Sequence, residues 1–179
     1  MKNNKVSIDS NALSYLVDVM MNDKKPMEKE ADEKIALFRV YLYREDNLYV
    51  SPTVRAEYEK IKDEQKRRDH QEITDILLGD ISVSDHSLIK TRTKEYNKFH
   101  SGKKNEKDCK ILAESEIGGC NLILTYDQDF YNKLNNKTHT IKIMKPSDFW
   151  VSLGIPQNSE MKKEPSSTNP HSKETWYVW

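Results

Sequence analysis

The stretch Asn105–Phe130, NEKDCKILAESEIGGCNLILTYDQDF, restricts the fold more than any other part of the chain. Within it, Asn121–Thr125 (NLILT) is a continuous apolar run, the pattern of a short strand buried on both faces of a parallel sheet. Ahead of it, Glu106 to Ile117 reads as a helix with Ile111, Leu112 and Ser115 at helical spacing, closed by Gly118–Gly119. A helix that leads into a parallel strand must begin at the carboxyl edge of the sheet. Asp108, near the helix start, is therefore expected on the same edge as Asp127 and Asp129, which follow the strand. Carboxylates at both ends of one buried unit converge.

The remaining chain repeats this alternation. Lys5–Ile8 is a β-prone run ending at Asp9, and in SNALSYLVDVMM the residues Leu13, Leu16, Val17 and Met20 share one helical face. A second helix is predicted from Met27 to about Glu45, followed by a brief strand at Asn47–Ser51. Pro52, with Ser51 as cap, opens a helix that holds Val54, Tyr58 and Ile61 and runs on into KDEQKRRDHQE. Ile81–Ser84 is a strand or an extended connection, and Asp85 to about His100 is helical in character. His139–Met144 is a further strand, and a last short helix starts after Pro146. Strands separated by helices predict an α/β sandwich with a mostly parallel central sheet, spanning residues 1–155.

From Pro156 the sequence changes to PQNSEMKKEPSSTNPHSKE, which buries too little apolar surface to offset its ordering entropy. Residues 156–179 are expected to form a flexible polar tail. Its aromatic end, WYVW, reads as a docking peptide for a partner or for the protein's own groove.

Composition removes several function classes. Lys plus Arg equals Asp plus Glu at 29 each, so the chain lacks the global charge of a nonspecific nucleic-acid binder, although a local basic rim is compatible with that balance. Cys109 and Cys120 have no metal-finger spacing and read as reduced thiols. No apolar run approaches bilayer length and no signal-peptide pattern opens the chain, so the expectation is a cytoplasmic protein with no membrane partner. The basic runs Lys66–Arg68 and Lys90–Lys94 are solvated helix faces or phosphate contacts, and none of the five scattered histidines is assigned a catalytic role.

Asp9 follows the first strand, Glu57 lies in the first turns of the helix after NLYVS, and Asp108 and Asp127 flank NLILT. In a parallel sheet these places share the carboxyl edge, where functional groups gather. Four acids there repel unless a cation neutralises them, and oxygen-only ligation favours Mg²⁺ or Mn²⁺ over zinc. Phosphodiester hydrolysis suits such a centre. Each acid also has a plainer reading: Asp9 and Asp127 as helix caps, Asp108 as a complement to a helix N-terminus, Glu57 as one exposed helical glutamate among several.

In this order, VSIDSNALSYL, SPTVRAEYEKI and NEKDCKILAESEIGGCNLILTYDQDF resemble the motifs of PIN-domain ribonucleases, over roughly Lys5 to Leu153. The resemblance implies a PIN-like three-layer α/β/α sandwich. It implies Asp9 as first metal ligand, with Ser10 and Asn11 in its D-[ST]-N turn, then Glu57, Asp108 and Asp127 as second, third and fourth. Asp129 is by the same token a further acid, acting directly or through water, and Thr125 the hydroxyl residue that orients the cluster. The implied activity is that of a Mg²⁺- or Mn²⁺-dependent endoribonuclease using an ion-activated water. It would be the toxin of a VapC-type toxin–antitoxin pair, with an antitoxin partner and commonly a homodimer, or a stand-alone defence nuclease. The Met27–Glu45 helix and the long tail depart from the shortest toxins. The rival expectation is a catalytically inactive PIN-like scaffold or RNA-binding module acting through its tail.

Overall fold

The computed structural model describes residues 5–22, 24–44, 47–102, 105–164 and 173–179. In chain order the elements are β1 (Val6–Ile8), α1 (Ser10–Met21), α2 (Ala31–Tyr43), β2 (Leu48–Val50), α3 (Pro52–Tyr58), α4 (Glu64–Leu77) and β3 (Gly79–Asp80). They continue with α5 (His86–Tyr96), α6 (Glu106–Ile117), β4 (Leu122–Leu124), α7 (Gln128–Leu134), β5 (Lys142–Met144) and α8 (Pro146–Ser152). The strands form one five-stranded sheet in the order β3-β2-β1-β4-β5. Every pairing is parallel, with Val6 opposite both Leu48 and Leu122. The α/β sandwich expected from the helix–strand alternation is the fold observed.

β1 and β4 are central and fully buried, which is why they consist only of Val, Ser, Ile and Leu. From β1 the chain winds outward to β2 and β3, then crosses back by way of α5 and α6 to β4 and on to β5. The direction of winding therefore reverses between β1 and β4. Right-handed crossovers in opposite directions send helices to opposite faces, and a crevice opens where the strand order reverses, beyond the carboxyl ends. Asp9 leaves β1 at that point and Thr125–Asp127 leave β4 beside it.

Local differences from the sequence reading have identifiable causes. The helix expected to run from Pro52 into the polar KDEQKRRDHQE is two helices. α3 ends at Tyr58, where the amides of Lys60 and Ile61 fold back onto Glu57 and Tyr58 carbonyls, and Asp63 caps α4 by accepting from the Lys66 amide at 2.8 Å. α2 begins at Ala31 rather than Met27. β3 lies at Gly79–Asp80, ahead of Ile81–Ser84, and pairs there with Tyr49 and Val50, where a side chain at residue 79 would meet the Tyr49 ring at 2.6 Å. Gly118 permits a similar approach, since a Cβ there would meet Ile81 Cγ2 at 2.1 Å, while Gly119 takes φ +80° to turn into β4.

α6 carries two buried acids that the site does not use. Glu114 accepts from the Thr53 amide and hydroxyl at the start of α3. Glu116 accepts from the Tyr96 hydroxyl and from the amides of His139 and Thr140. Burial works to raise the Glu116 pKa, but these donors outweigh it and hold the carboxyl below its ordinary value. The two glutamates thereby tie α6 to α3, α5 and the approach to β5.

The expected flexible tail needs correction over the residues described; 165–172 lie outside them. Lys162 and Lys163 amides bond to the Leu42 carbonyl, and the aromatic end packs on the protein's own α2 and α8. Tyr177 is 4% exposed, with its ring centroid 5.5 Å from Phe38, and Trp179 meets Trp150 edge-on at 5.5 Å. Arg39 donates to the Tyr177 carbonyl and stacks over the Trp179 ring. Polar composition governs the start of the segment; three aromatic side chains supply the apolar area that anchors its end. Tyr177→Ala is expected to lower stability by about 2–3 kcal/mol in urea unfolding, whereas Val178→Ala, at a half-exposed position, shifts it by less than about 0.5 kcal/mol. Equal effects would show that the aromatic end contributes no specific packing.

Candidate metal centre

The centre is built outward from β1 and β4. Asp9 caps α1, one carboxylate oxygen accepting from the Ala12 amide at 2.7 Å and the other from the Thr125 hydroxyl at 2.5 Å. Thr125 is completely buried, and its oxygen in turn accepts from the Asp127 amide at 3.0 Å. Asp127 caps α7 through Oδ1, which accepts from the amides of Asp129 and Phe130. The capping reading and the convergence reading of these acids therefore both hold: the caps fix the carboxylates in place.

Asp9, Ser10, Asn11, Glu57, Asp108 and Asp127 all line one cleft of about 430 Å³. Leu13, Val54 and Tyr58 give it an apolar flank, and His70 and Lys107 complete the polar lining. Burial, joined by the charges of Asp108 and Asp127, raises the Asp9 pKa from 3.8 to about 7 despite the opposing bonds from Thr125 and Ala12. Asp108 is also pushed up, first by burial and then by Asp127, with Glu57 adding and His100 opposing. These acids feel one another across the cleft.

Two residues that the sequence reading passed over face them. Lys107, one position before Asp108, places its ammonium 2.9 Å from Glu57 Oε1, while the Ser10 hydroxyl donates to the other Glu57 oxygen. His100 is 3% exposed, with Nε2 3.5 Å from Asp108 and Nδ1 3.6 Å from Asp129, contacts too long for formed hydrogen bonds. Asp129 is thus turned toward His100 and does not line the cleft. The EKDCK context signals Lys107 in retrospect; nothing local in the sequence singles out His100.

The donor set is all oxygen, which suits a hard cation such as Mg²⁺ or Mn²⁺. Among the described residues no three His, Cys, Asp or Glu side chains stand close enough together to form a finished cage. Glu57 is instead engaged by Ser10 and Lys107, and Asp108 faces His100. Asp9, Asp108 and Asp127 are the acids whose charges act on one another most directly.

No family model and no curated protein matches the sequence. Among solved structures, FitAcB from Neisseria gonorrhoeae aligns with a TM-score of 0.48 at 14% identity, covering 79% of this chain and 97% of that one. FitAB bound to the IR36 DNA fragment aligns with a TM-score of 0.47 at 14% identity, over 79% and 95% of the respective chains. Among the described residues no helix is long and apolar enough to cross a membrane.

Asp9 gives the site a pH signature. Its folded pKa lies above its ordinary value, so the native state holds a proton that the unfolded chain releases. The associated stability is fully present below about pH 4 and is lost as pH rises through about 7, by up to about 4 kcal/mol. Asp9→Asn should abolish most of that slope between pH 4 and 8 in chelator-treated protein unfolded by urea. Parallel slopes in the two proteins would show that Asp9 is not the titrating group.

Proposed function

We propose that this protein is a divalent-metal-dependent endoribonuclease of PIN type that hydrolyses RNA phosphodiester bonds. The observation that carries the reading is geometric: Asp9, Glu57, Asp108 and Asp127 line one cleft, with Asp9 buried and held on both oxygens. Folding that holds acids against their own repulsion is accounted for when a cation is the intended occupant. Mg²⁺ or Mn²⁺ held by Asp9, Glu57, Asp108 and Asp127 would supply Lewis acidity to the scissile phosphate and activate water for in-line attack.

The chain's own groups carry the rest. Thr125 holds Asp9 and the Asp127 backbone in register, so neither acid must reorganise when charge develops. Ser10 orients Glu57, and Asn11 lines the same cleft. Asp129, turned toward His100 outside the cleft, would act on an ion only through water. Lys107 is paired with Glu57, and would be free to meet a phosphate oxygen if Glu57 served as an ion ligand. A protein partner that pushed a basic side chain to Glu57 would reproduce the Lys107 contact and block the centre. That is how an antitoxin would act if the chain is the toxin of a toxin–antitoxin pair in the cytoplasm; a stand-alone defence nuclease needs none. A homodimer is compatible with either role.

Purified protein should cleave single-stranded RNA with Mn²⁺ and lose the activity on chelation. Asp9→Asn and Asp127→Asn should each lower the rate at least about 10²-fold, and Thr125→Val about 10–100-fold, while all remain folded by circular dichroism. Undiminished cleavage by Asp9→Asn would remove the proposed centre. RNA binding without any cleavage in the intact protein would favour the scaffold reading.

A further inference from the structure

A second cavity, of about 550 Å³, adjoins the acidic cleft between α1 and α4. The two share Ser14 and His70, which stand as the wall between them. That wall is firmly built. His70 is 1% exposed; one ring nitrogen, Nδ1, lies 2.8 Å from the Lys66 carbonyl and the other, Nε2, 3.1 Å from the Ser14 hydroxyl. Since a carbonyl only accepts, Nδ1 carries the proton and Nε2 accepts from Ser14. The imidazole also packs against the Tyr58 ring.

Beyond the wall the lining is chemically mixed but electrically balanced. Lys34 is paired with Asp18 at 2.5 Å, and Asp69 accepts from the Gln65 amide at 2.8 Å. Tyr15, Val17 and Met21 contribute apolar surface. Lys66, exposed at the rim, has no ion-pair partner among those recorded for the described residues. A pocket of this size, with apolar walls, amide edges and internally matched charges, accepts an uncharged heterocycle more readily than a phosphate. One free ammonium at its mouth suits the phosphate attached to that heterocycle.

We propose that this cavity is a nucleotide subsite: it takes one unpaired base of single-stranded RNA next to the scissile bond, with Lys66 on the adjoining phosphate. The inference rests on the nuclease reading and extends it to substrate form. A base must leave its duplex to enter, so single strands bind in preference to paired ones.

The experiment uses full-length Asp9→Asn protein and a fluorescein-labelled RNA decamer, with binding read by anisotropy in chelator. Adding Lys66→Glu should weaken binding about five- to tenfold and reduce the steepness of its salt dependence by about one phosphate contact. Met21→Trp, which fills the cavity from an exposed position, should weaken binding about fivefold, whereas Lys142→Glu on β5 leaves it within twofold. The same decamer in a duplex should bind more weakly, and Lys142→Glu, at an exposed position of the edge strand β5 outside both basic runs, is the charge-reversal control. Affinities within twofold for all variants, or tighter binding of the duplex or of a DNA decamer, overturn the subsite. Mn²⁺-dependent cleavage by the wild-type protein, measured in parallel, keeps that failure separate from a failure of the nuclease reading.

Discussion

The hydroxyl of Thr125 donates to Asp9 at 2.5 Å and accepts from the amide of Asp127 at 3.0 Å, while its own side chain is completely buried. Through one oxygen atom the ends of β1 and β4 are locked together just where the strand order reverses. Everything that converges on the cleft depends on this lock. α1 starts from the Asp9 cap, α7 from the Asp127 cap, and the direction in which each helix leaves the sheet follows from the cap geometry. A valine of similar volume would fill the space and break both connections.

The lock works against electrostatics. Burial and neighbouring carboxylates make ionised Asp9 costly, and the fold answers with several partial compensations rather than one full counter-charge. Lys107 and Ser10 engage Glu57, and His100 lies between Asp108 and Asp129. Glu116, on the same helix as Asp108, shows the contrasting solution. Its carboxyl is surrounded by donors that hold its pKa below the ordinary value, and it fastens structure. One helix thus carries a frustrated acid at its first turn and satisfied acids near its end. The difference lies in the number of donors each carboxylate meets.

Much of this arrangement was legible in the sequence because it depends on order along the chain. Asp9 after an apolar run, Asp127 after NLILT and Asp108 at the start of the intervening helix must share an edge if the sheet is parallel, and they line one cleft. Ser10, Asn11 and Thr125 are singled out only by the resemblance of their motifs to those of PIN-domain ribonucleases. Features set by the approach of distant segments were not legible. His100 meets Asp108 and Asp129 only because the end of α5 folds over α6 and α7. The break between α3 and α4 rests on Asp63, whose capping role is indistinguishable in sequence from the charges around it. Asp129, grouped by spacing with Asp127, turns outward because α7 starts at Gln128 and rotates it away from the cleft.

The aromatic terminus illustrates how composition misleads when a few side chains dominate. Averaged over residues 156–179 the segment is polar, yet Tyr177 and Trp179 make ring contacts with Phe38 and Trp150 that no average reveals. Those contacts cover α2 and α8, which pack on each other, and α2 packs in turn on α1. Since α1 forms one wall of the cleft and of the neighbouring cavity, the terminus reaches the helix that carries Ser10 and Ser14 only through α2. Anchoring the outer layer with aromatic area, and the inner edge with one threonine hydroxyl, leaves the region between them free to be polar. A hydrophobic core placed there would exclude both the acids and any charged ligand.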